Sequence, residues 1–120
     1  MIALALLCRN AHKLTRMETT EWTVVDGNLQ QSIPSTWKTG LWAMNHDKTL
    51  DLVGENLILV ESKAEPSYIG GVITGFTLIE GNRVEITFEE NPELCGRTEH
   101  THLWRGSNPV CYLKASLRGE

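Results

Sequence analysis

The chain has 120 residues, 41% hydrophobic and 22% charged, with a net charge of −4. That length implies one domain, residues 1–120, around a single core. The acidic balance excludes a protein that grips long duplex DNA by phosphate neutralisation, which needs clustered Lys and Arg.

Met1–Cys8 is an apolar run. It lacks a basic leading region and a small-residue cleavage site, and it is too short to span a membrane, so it reads as the first, central strand, apolar on both faces. Residues 9–21 are polar with room for a short helix. Glu21–Val25 is rich in β-branched and aromatic residues and stops at Asp26-Gly27, a strong turn pair. An extended piece follows to Ile33. Pro34–Lys38 reads as one helical turn, with Ser32 as N-cap and Gly40 as its end.

Leu41–Asn45 reads as a strand, and Asp47–Leu52 as helical, opened by Asn45 or Asp47 and closed by Gly54. Asn56–Glu61 is a strongly apolar strand. Lys63–Ser67 is a loop, and Tyr68–Ile79 is a long strand bent at its glycines. Glu80-Gly81-Asn82 is a tight turn. Arg83–Phe88 alternates apolar and polar residues as a half-buried strand does. Residues 89–107 form an irregular loop of the length usually found where loops are functional or mobile, and Asn108–Lys114 closes the domain. Strands dominate, so the expected fold is mostly β (α+β): a small, mostly antiparallel barrel with short helices at its mouth.

Trp42 and Asn45 sit together at the end of one strand. An indole face beside an amide can hold one flat polar ring, the first by stacking and the second by reading its donor–acceptor edge. Stacking contributes about 1–3 kcal/mol per base. Asn10 and Asn108 are further amides beside strand ends. Trp22, Trp37, Tyr68 and Trp104 are the candidate second aromatics. Arg9, Lys13, Arg16 and Arg105 are candidate phosphate contacts. Each has a plainer reading: core packing for Trp, turn chemistry for Asn, a solvated face for the cations.

Other chemistry finds little support. Three cysteines, Cys8, Cys95 and Cys111, are too few and too scattered for a disulfide framework. They fit a reducing, cytoplasmic setting, with Cys8 and Cys111 as buried thiols. His100-Thr101-His102 with Cys95 upstream has a metal-like spacing, but nothing completes a ligand shell. His12 and His46 are equally unsupported as ligands. No nucleophile elbow, phosphate loop or dinucleotide fingerprint is present; Gly70-Gly71-x-x-x-Gly75 lies within a strand. A Cys95–His100 pair has nothing to orient it. The sequence assigns no catalytic residue, cofactor or metal.

The segments Trp37–Asn45, Leu50–Ser62 and Gly70–Phe76, taken in order and spacing, resemble the PUA-like superfamily, closest to its EVE and YTH branches. The resemblance spans residues 37–76 of the chain. It implies a barrel of five or six strands whose pocket accepts a modified base or nucleotide from single-stranded nucleic acid, or one flipped from its strand. Carried over, Trp42 is the cage aromatic, Asn45 sits at the pocket rim and Ser62 ends the strand beside it. Glu55 stands where the EVE pattern has Asp after Gly.

The leading function is therefore a non-enzymatic, nucleic-acid-binding module with no membrane partner. One alternative is a small hydrolase like those of the ASCH branch, acting on a modified nucleoside or small amide with Glu61 or Glu65 and Lys13 or Lys48 as its acid–base pair. Another is a protein-interaction domain.

Overall fold

Six consecutive apolar residues, Ile2–Leu7, leave strand β1 without a polar face, and such a strand must be covered on both sides. In the computed structural model, which describes residues 2–9, 14–16, 21–32, 36–104 and 108–113, it is. β1 (Ile2–Leu7) lies between β6 (Asn56–Val60) and β9 (Val110–Tyr112). The other strands are β2 (Leu14–Arg16), β3 (Glu21–Val25), β4 (Asn28–Ser32), β5 (Thr36–Ala43), β7 (Ile69–Ile79) and β8 (Arg83–Glu90).

Seven of them form one sheet in the order β2-β5-β8-β7-β6-β1-β9, and β3-β4 form a separate hairpin. β1 pairs with β6 in parallel. The other pairings are antiparallel. The sheet is thus mixed.

All seven strands contribute to one principal core. Leu4 and Leu6 of β1, Leu57 and Leu59 of β6, Ile73 of β7, Val84, Ile86 and Phe88 of β8, Trp42 of β5 and Val110 of β9 are buried together, with Leu14 of β2 against them. The other face of β1, β6 and β9 carries Ile2, Ala5, Ile58, Val60 and Cys111. Leu94 is buried with them, and Leu103 and Trp104 pack alongside. The segment 92–104, expected as a functional or mobile loop, therefore closes a second core layer. Ser67 ties it down: its Oγ donates to Leu94 O at 2.5 Å and accepts from Arg97 N at 2.9 Å.

Long β7 bends where its register against β8 shifts, between Ile73 and Gly75. At its start two glycines let other chains approach closely. A Cβ on Gly70 would lie 2.6 Å from Leu94 Cβ, and one on Gly71 would collide with the Glu89 carbonyl.

The helical content differs from expectation at two places. Within residues 9–21, given room for a short helix, Leu14–Arg16 is strand β2, paired with β5. Of the helical turn expected at Pro34–Lys38, residues 36–38 belong to β5, paired with β8 through Trp37–Phe88; Ser32 is the last residue of β4, and residues 33–35 lie outside the described residues. Cross-strand pairing outweighs the local turn signal here. The helix expected at Asp47–Leu52 is present as a 3-10 helix, His46–Asp51, with Asn45 Oδ1 accepting from Asp47 N as its N-cap. A 3-10 turn at Pro92–Leu94 is capped by Asn91 in the same way. Among the described residues no helix is long and apolar enough to cross a membrane.

Candidate functional site

Parallel neighbours end on the same side of a sheet. β1 and β6 run side by side from Ile2–Asn56 to Leu7–Val60, so the residues that follow each, Arg9 and Glu61–Lys63, emerge at one end. Antiparallel partners begin there. β7 starts beside the end of β6, with Ile69 opposite Leu59. β9 enters beside the end of β1, where Leu7 N donates to Pro109 O at 2.8 Å. One rim therefore gathers Arg9, Ser62, Lys63, Tyr68 and Asn108.

Tyr68 locks this rim. Its hydroxyl donates to Cys8 O at 2.6 Å across 60 positions of sequence. Burial, the adjacent Cys8 and the charge of Glu61 hold its pKa above the usual phenol value. Asn108 commits Oδ1 to Val110 N at 3.0 Å, starting β9; its NH2 is a further donor. Ser62 is half-buried and Arg9 is exposed.

Trp104 joins from the outer layer, with Lys63 Nζ 5.4 Å from its ring centroid. Its indole meets the ring of His100 edge-on at 6.3 Å. His100 is fully buried. Nε2 lies 2.7 Å from Glu65 O, and since a carbonyl only accepts, Nε2 carries the proton. His100 Nδ1 and Trp104 Nε1 are buried without a hydrogen-bond partner. His100 is a core residue and His102 is exposed in a turn, so the two imidazoles do not share one side of a strand. Among the described residues no three His, Cys, Asp or Glu side chains are grouped to hold a metal.

Trp42 and Asn45 lie at the opposite end. β5 finishes beside the β7–β8 turn, with Trp42 opposite Val84 and Met44 N donating to Asn82 O at 2.9 Å. Trp42 is 1% exposed in the principal core, and its Nε1 donates to Thr39 Oγ1 at 3.0 Å. Core side chains occupy the faces expected to stack a base. Asn45 is spent as the helix cap described above. The resemblance joined Trp42 to Ser62 as one pocket; the strand directions part them.

Lys48, paired on paper with Glu61 or Glu65, also belongs to this lower end, its Nζ 4.3 Å from the Tyr112 ring centroid. Tyr112, half-buried, has its pKa raised by burial. Arg16 sits on β2 with its guanidinium 5.3 Å from the Trp37 centroid, and Trp37 Nε1 donates to Glu90 Oε1 at 2.8 Å. Cys8 and Cys111 are buried free thiols and Cys95 is exposed. Asn10, His12, Lys13 and Arg105, and the side chain of Trp22, lie outside the described residues.

The rim signal that sequence reading missed is Lys63. It follows an apolar strand ending in Glu61-Ser62, a position that becomes informative only once β6 is known to run parallel to β1. No protein-family model, curated protein or solved structure matches the chain.

Proposed function

We propose that this chain is a nucleic-acid-binding module that receives a single modified base or nucleotide at the rim beyond the carboxyl ends of β1 and β6. The observation that carries the reading is the gathering at that end of Tyr68, two cations, Arg9 and Lys63, and two small polar side chains, Ser62 and Asn108, with Trp104 beside Lys63 on the outer face. The aromatics supply stacking surface, the cations attract a phosphate, and the amide NH2 and hydroxyl address a base edge. The resemblance to PUA-like domains points to the same ligand class. Closure of the sheet into a PUA-like barrel is part of the proposal, supported by the principal core that all seven strands line. An acidic chain suits recognition of a rare chemical mark, because its non-specific affinity for polyanions is low.

Tryptophan fluorescence, titrated with modified and unmodified nucleosides and short single-stranded oligonucleotides, tests this. We expect saturable quenching by one modified base. Trp104→Phe and Lys63→Ala should weaken it at least tenfold, while folded Trp42→Phe binds as the parent does. Equal quenching by every nucleoside, or none, removes the reading.

A further inference from the structure

The β3–β4 hairpin stands apart from the main sheet. Its two-residue turn, Asp26-Gly27, has φ of 52° and 80°, the conformation in which the flanking residues Val25 and Asn28 form a hydrogen-bonded pair. Alternation along the ladder then makes Val24–Leu29 and Trp22–Gln31 non-hydrogen-bonded pairs, whose backbone N–H and C=O groups point away from the hairpin. Among the described residues no strand pairs with either outer edge. Val24 and Leu29 face each other across the ladder on one face and are 71% and 65% exposed. An isolated two-stranded hairpin is marginal in water, and an unpaired edge is a template for another strand.

We infer that β4 pairs with β4 of a second copy of this chain, antiparallel and about a two-fold axis at Gln30, giving a four-stranded intermolecular sheet. The register follows from which groups point outward. With the axis at Gln30, Leu29 of each copy meets Gln31 of the other, and both residues carry outward N–H and C=O groups, so each such pair exchanges two hydrogen bonds. The apolar pairs Val24–Leu29 of the two copies then fall on one face, with the leucines on adjacent diagonals.

Charge selects β4 over β3. Asn28–Ser32 holds no charged residue, so self-pairing sets no like charges opposite. The equivalent pairing of β3 about Thr23 would carry a carboxylate, Glu21, into the intermolecular ladder from each copy. β4 also lacks the Lys or Pro that commonly protects an open edge.

Sedimentation equilibrium over a hundredfold concentration range tests the assembly. The parent chain should move reversibly between monomer and dimer. Gln31→Pro removes an N–H that points outward and spares the hairpin's own bonds, so the variant should keep the circular dichroism of the parent and dissociate at least tenfold more readily. Gln30→Cys in a Cys95→Ser background should give a covalent dimer on mild oxidation, and Thr23→Cys should not. A parent that stays monomeric overturns the inference. So does a dimer that Gln31→Pro leaves intact, or one that cross-links through Thr23 instead of Gln30.

Discussion

Trp42 illustrates how much a residue's surroundings decide. An indole at a strand end beside an amide has the composition of a base-stacking site. It is instead a core side chain whose one polar atom is satisfied by Thr39, a hydroxyl buried at the same depth. Trp42→Phe keeps most of the packing but removes the donor to Thr39. A buried polar group that loses its partner costs about 1–3 kcal/mol, so urea unfolding should show that loss with the far-UV spectrum unchanged. A variant as stable as the parent would mean that the Thr39 hydroxyl finds another partner at no cost. His100 is the converse case. A histidine beside a second histidine suggests ligation, yet its burial and its bond to Glu65 O make it a strut between two loops.

At the scale of elements, β7 does most to shape the molecule. It begins at the Tyr68 rim, passes β6, bends, and continues against β8. At its start neighbouring segments come so near that residues 70 and 71 carry no side chain. Gly71→Ala puts a methyl group into the β8 backbone at Glu89, where neither strand can yield without breaking ladder bonds. Overpacking of this kind costs about 3 kcal/mol, and the urea midpoint should fall accordingly. Gly75→Ala, where an added Cβ meets nothing within 4 Å, is the control and should shift it little. Equal effects from the two would show that strand propensity, and not the contact, sets the cost.

For the molecule as a whole, distant segments are joined by a few specific bonds, of which Tyr68 to Cys8 is one. Tyr68 and Tyr112 are the chain's two tyrosines, and both have pKa values raised above the ordinary 10.0. A group whose folded pKa is raised contributes stability that is complete below its unfolded pKa and is lost as pH rises toward the folded one. The protein should therefore lose stability above pH ~10, not below it. Absorbance at 295 nm should show little tyrosinate in the folded chain at that pH and then a rise coincident with loss of structure. Two tyrosines titrating near pH 10 in the folded protein would contradict the burial and bonding assigned to them.

Local chemistry made much of the fold legible in advance: the apolar run that must be a central strand, the Asp26-Gly27 and Gly81-Asn82 turns, the Asn45 cap, the alternation of Arg83–Phe88, the burial of Cys8 and Cys111. These depend on neighbours a few residues away, and period and turn residues report them directly. Strand direction and partner choice do not have that property. That β1 and β6 are parallel depends on contacts about fifty residues apart, and this decides which side chains share a rim. It separated Trp42 and Asn45 from Ser62 and gathered Arg9, Lys63, Tyr68 and Asn108. Tertiary packing likewise made the loop at 92–104 the cover of a second core layer. The sequence by itself determined most of the strands and turns, because their causes are local. The tertiary structure alone decided the site, because a site is a meeting of chain ends that the sequence keeps apart.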